Sequence, residues 1–152
     1  MGAVKRPLLI AAAVVAVLAI SFVVARWLNN DTVERGQVTE LLEAQIRGDA
    51  DAMLRRLRGC EDPTCVAVVR RNAERLRGEG ELKIALYQSQ TAHALSSRTR
   101  FTRVVWFTPQ RLTTVQCVLV RREGNVFAGT TVSLLRVTAP IGRESSCPSN
   151  PA

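Results

Sequence analysis

RTRFTRVVWFTPQRLTTVQCVLVRREGNVFAGTTVSLLRVT, residues 98–138, decides the fold. It consists of runs rich in Val, Thr, Leu and aromatic residues, interrupted only at Pro109-Gln110 and at Glu123-Gly124-Asn125. β-Branched and aromatic side chains suit the pleated, half-buried surface of a strand, and connections this short leave only antiparallel neighbours. An earlier run, residues 81–95, ends at Ser96-Ser97 and supplies one more strand. The expected sheet is therefore a meander of 81–95, 98–108, 111–122 and 126–138. Trp106 and Phe107 fall on opposite faces of their strand, so one of them belongs to the core.

Before Gly80 the period is helical. Asp31 and Glu34 fit an N-cap and its third helical position, and Val38, Leu41, Leu42 and Ile46 form one apolar face that Gly48 ends. Asp49 caps a second helix carrying Met53, Leu54 and Leu57, which ends at Gly59. After the corner Cys60-Glu61-Asp62-Pro63, Asp62 as N-cap and Pro63 at the first helical position start a third. Its buried stripe is Val66, Val69, Ala73 and Leu76, with Arg70, Arg71, Glu74 and Arg77 facing away. Helices this short are marginal alone and need a sheet to lie against. The expected class is α+β: three short helices packed on a four-stranded antiparallel curved sheet.

That element order resembles the nuclear transport factor 2-like (cystatin-like) fold, and in particular small membrane-anchored actinobacterial proteins of that fold. The resemblance covers roughly residues 32–141 and rests on the order of elements and on RGDADAMLRRLRGC (47–60) and Thr114-Val115-Gln116-Cys117. It implies a cone-shaped interior between helices and sheet. Relatives of the fold include isomerases, dehydratases and epoxide hydrolases with acids, bases or His inside the cone. It also implies a short strand between the early helices, which is not readable in this sequence.

Ahead of this domain, LLIAAAVVAVLAISFVVA (8–25) carries no charge, and Trp27 and Leu28 extend it beyond Arg26. About 20 apolar residues cross a hydrocarbon core of roughly 30 Å, so the segment is expected to span a membrane once. Lys5 and Arg6 precede it while Asp31 and Glu34 soon follow Arg26, which favours a cytoplasmic N-terminus. A cleaved secretory signal is the alternative; its one small-x-small site, Ala19-Ile20-Ser21, lies inside the apolar run rather than after it. Either reading exports the domain. The expected divisions are 1–28, a cytoplasmic stub and anchor, 29–141, the extracytoplasmic domain, and 142–152, an irregular tail tied down only at Cys147.

Cys60, Cys65, Cys117 and Cys147 all lie beyond the apolar run, as suits two disulfides in an oxidising compartment. Three pairings are possible. Cys60 with Cys65 and Cys117 with Cys147 is favoured because the first two bracket a tight corner. A zinc site would present its ligands as close pairs such as C-x2-C, and the one close pair here is C-x4-C, so no metal is expected.

No other chemistry is indicated. Between residues 98 and 143 the one acid is Glu123, in an expected hairpin turn, which removes a pair of carboxylates for acid/base work. His93, the sole histidine, follows Tyr87 on the first strand, and these two with Trp106 are the candidates for lining a pocket. There is no Gly-rich phosphate loop and no nucleophile motif, so neither a cofactor nor catalysis is expected. The +8 charge is nearly all arginine and no nucleic-acid-binding module surrounds it. Its distribution is uneven: residues 29–97 hold ten basic and eleven acidic side chains, residues 98–152 eight and two. Arg98, Arg100, Arg103, Arg121, Arg122 and Arg136 are the candidate contact patch for an envelope protein or an anionic surface. The expected function is a membrane-tethered interaction domain, the alternative a small-ligand or enzymatic pocket between helices and sheet.

Overall fold

Helix α1 (Lys5–Ile46) runs unbroken from the apolar segment into the domain. The computed structural model describes residues 5–90, 97–125 and 129–149, and this first element corrects the expectation of a separate short helix. No proline stands between residues 8 and 46, so nothing interrupts the hydrogen-bond ladder, and extending a helix is far easier than starting one. Asp31, expected to be a cap, therefore sits within the helix. Leu9, Ile10, Val14, Val15, Val17, Leu18, Ile20 and Phe22 are all more than half exposed. Among the described residues no helix is long and apolar enough to cross a membrane. The described side chains of the apolar run are those of 9–25; those of Leu8, Trp27 and Leu28 lie outside them.

The helix ends follow the sequence closely. Gly48 takes φ +75°, and the Gly48 and Asp49 amides donate to the Gln45 and Ala44 carbonyls, closing the end of α1. The Asp49 carboxylate caps α2 (Ala50–Arg56) by accepting from the Ala52 amide at 2.8 Å. That of Asp62 caps α3 (Pro63–Arg75) by accepting from the Cys65 amide, also at 2.8 Å.

Strands β1 (Lys83–Gln88), β2 (Arg98–Thr108), β3 (Arg111–Asn125) and β4 (Gly129–Val137) form one antiparallel sheet in the order β1-β2-β3-β4. β1 ends at Gln88 and residues 89–90 are not strand, whereas the expected run continued to 95; residues 91–95, with His93, lie outside the described residues. β3 outruns its expected end at 122 because Gly124, at φ +106°, lets the chain stay paired into the hairpin.

Pairing sets the two faces. Trp106 opposite Ile84, Val104 opposite Tyr87, and Val118 opposite Val137 lie toward the helices. There they meet Val38, Leu41 and Leu42 of α1, Met53 of α2, and Val69 and Ala73 of α3 in one core. Trp106 is thus the core member of its pair with Phe107. On the outer face Phe101, Cys117 and Leu119 form a second, smaller cluster, covered by Leu135, Ile141 and Cys147.

The segment between β4 and the expected tail is tied to β3. The Thr138 and Ile141 amides donate to the Cys117 and Val115 carbonyls at 2.9 and 2.8 Å, and Cys147 closes a disulfide to Cys117. Ile141 buries against the outer sheet face, which is what holds the segment ahead of the cystine. Cys60 pairs with Cys65 across the α2–α3 corner, so both favoured pairings are present and no cysteine is free. Between α2 and α3, Leu57 forms a single parallel bridge with Leu134 and the Arg58 amide donates to the Leu134 carbonyl at 2.7 Å. This covers part of the exposed edge of β4.

Candidate functional site

Two polar clusters lie between the helices and the sheet. In the first, the Glu34 carboxylate is fully buried. One of its oxygens accepts from Arg122 Nε and Nη2 at 2.9 and 2.6 Å. The other accepts from the Tyr87 hydroxyl at 2.9 Å and the Thr102 hydroxyl at 2.7 Å. Side-chain exposure is 0% for Glu34 and 3% for Arg122, so water screens this pair little. α1 supplies the acid, and β1, β2 and β3 supply the donors. Arg35 stacks its guanidinium 5.8 Å from the centre of the Tyr87 ring.

In the second cluster the Gln45 and Gln116 side chains donate to each other at 2.9 and 3.2 Å. The Trp106 indole N–H donates to Gln116 Oε1 at 2.8 Å, and the Thr138 carbonyl accepts from Gln116 Nε2 and Asn72 Nδ2. One amide network therefore joins α1, α3, β2, β3 and the chain after β4. Buried amides and hydroxyls left unpaired would each cost about 1–3 kcal/mol, so mutual satisfaction is what allows them inside.

Glu34, Gln45, Gln116 and Asn72 were not anticipated as interior groups. Their signal was present: Glu34 and Gln45 lie on the same helical stripe as Val38, Leu41 and Leu42, where a polar side chain needs a buried partner. Of the three expected pocket residues, Tyr87 and Trp106 do share the helix-facing side of the sheet, one opposite Val104 and the other opposite Ile84. Their polar atoms are engaged with Glu34 and Gln116. The third, His93, lies outside the described residues.

The six candidate arginines do not form one patch. Arg98, Arg100 and Arg122 lie on the helix-facing side, and Arg122 is buried against Glu34. Arg103, Arg121 and Arg136 lie on the outer side, opposite Cys117, Thr99 and Leu119. A strand's alternation sends neighbours to opposite faces, so a count of arginines per segment hides this division.

On the outer side the arginines do converge. Arg121 of β3, Arg136 of β4 and Arg58 from the α2–α3 corner line one surface cleft with Gly59, Thr99, Leu119 and Leu135. Arg58 also borders a neighbouring cleft with Arg55 and Arg56. Arg136 meets Asp62 at 3.4 Å, Arg121 meets Glu123 at 3.7 Å, and Arg56 pairs with Glu40. These pairs are half exposed and weak. No ion pair engages Arg55 or Arg58 among the described residues. No protein-family model, curated protein or solved structure matches this chain. The cleft therefore has to be read from its chemistry: guanidinium forks from three elements, over an apolar floor, suit a carboxylate- or phosphate-bearing surface.

Proposed function

We propose that the chain is a membrane-tethered, extracytoplasmic interaction domain without catalysis, which binds an acidic segment of another envelope protein through the basic cleft on its outer sheet face. The convergence of Arg58, Arg121 and Arg136 on one cleft carries the reading. Support for the tether comes from the uncharged run 8–25, its flanking Lys5 and Arg6, and the exposure of its described side chains on every side of α1. The two disulfides fit an oxidising, extracytoplasmic compartment. Membership in the nuclear transport factor 2-like group is part of the same proposal. Helices lying on one face of an antiparallel sheet support it, as does the Leu57–Leu134 bridge where that fold has a short strand. A non-catalytic role is favoured over a ligand pocket because the Tyr87 hydroxyl donates to Glu34, Glu34 also accepts from Arg122, and the Trp106 N–H donates to Gln116, all between helices and sheet.

The test is crosslinking and affinity capture from native membranes with the intact chain and with Arg58→Glu/Arg121→Glu/Arg136→Glu. Arg71→Glu, an exposed change on α3, is the control. A partner recovered with the intact chain and the control but lost with the triple variant is expected. Equal recovery with all three would refute the cleft as the contact.

A further inference from the structure

The unbroken course of α1 fixes which end of the domain faces the bilayer. We infer that Arg98 and Arg100, at the start of β2, with Arg35 of α1, rest on the phosphate headgroups of anionic lipids in the membrane that holds α1. This deepens the tether reading and rests on it.

Two contacts align α1 with the sheet. Near its end, Gln45 pairs with Gln116; eleven residues earlier, Glu34 pairs with Arg122 and Thr102. Those eleven residues rise about 16 Å, close to the roughly 20 Å that six residues of β3 cover between Gln116 and Arg122. The helix therefore runs along the strands, and going back from Gln45 to Glu34 leads toward Arg98 and Asn125. Nine residues further back, α1 reaches Ala25, the last residue of the uncharged run, after about 14 Å. Over the same direction β2 travels from Thr102 to Arg98, four residues, or about 13 Å. Because Arg98 also pairs with Arg122, which Glu34 holds at its own level, the start of β2 lies between the level of Glu34 and that of Ala25, within about 14 Å of the end of the uncharged run. No flexible connection intervenes, because the same helix passes through both.

Charge at that end fits the assignment. Arg35, Arg98 and Arg100 are exposed there, while Glu34 is buried and matched by Arg122, and Glu123 faces Arg121. At the opposite end Arg47, Arg77, Glu79 and Gln110 line one cleft of mixed sign. Arginine forks match the geometry of phosphate oxygens, and a polybasic surface gains affinity with each cation placed within a Debye length of anionic lipid.

The full chain would be reconstituted in nanodiscs of phosphatidylcholine alone or with one third phosphatidylglycerol, and amide exchange followed by mass spectrometry. With the anionic lipid, exchange across 97–100 is expected to slow about fivefold or more, and high salt should erase the effect. Arg98→Gln/Arg100→Gln should abolish it without altering 76–82 at the far end. Equal exchange in both lipids, or equal slowing at both ends, would overturn the inference while leaving the tether intact. Failure of the chain to float with lipid vesicles would overturn the tether and this inference together.

Discussion

Replacing Arg122 with Leu would take from the buried Glu34 carboxylate the guanidinium that faces it. Breaking a buried pair from one side costs about 3–5 kcal/mol, because the remaining charge keeps its desolvation penalty. Chemical denaturation of Arg122→Leu should show a loss of that size, and a second change, Glu34→Gln, should restore a good part of it. An unchanged midpoint would mean that the carboxylate finds water in the folded state. Glu34 also shows where local reading fails. An Asp followed three residues later by Glu is a sound capping signal, yet here the helix has already formed, and the carboxylate turns inward to three strands. Nothing local to residues 31–34 could reveal Arg122, which is 88 residues away.

At the scale of elements, two glycines of α1 and its end make opposite predictions. Gly36 lies inside the helix with open space around its missing Cβ, so Gly36→Ala should stabilise the chain by about 1 kcal/mol. Gly48 holds φ +75°, and an added Cβ would come within 3.0 Å of the Arg77 side chain, so Gly48→Ala should destabilise by about 1 kcal/mol or more. Thermal denaturation of the two variants separates them by sign. The Cys117–Cys147 disulfide closes a separation of 30 residues and that of Cys60–Cys65 a separation of 5. The loop-entropy model gives roughly 4 and 2 kcal/mol respectively. Cys117→Ser/Cys147→Ser should therefore lose more stability than Cys60→Ser/Cys65→Ser, and limited proteolysis should cut its tail first. The caps at Asp49 and Asp62, and the turn at Pro109-Gln110, were legible because each depends on residues within a few positions. The end of β1 at Gln88 was not, since Ser89 and Gln90 bring no proline or glycine to stop a strand.

For the whole molecule, the tether predicts that the chain stays with membranes through alkaline carbonate and is released by detergent. Release by carbonate would mean that only surface contact holds it. Sequence by itself determined the α+β order, the strand meander, the disulfide-forming set and the uncharged run, because each is written in composition, short-range spacing or period. Tertiary structure alone decided that the apolar run and the first domain helix are one rod. It also decided that six arginines divide between two faces and that the space between helices and sheet is bridged by Glu34–Arg122 and Gln45–Gln116. The reason is physical: hydrophobic period states which side of an element is buried, but only strand register and helix placement state which polar group it is buried against.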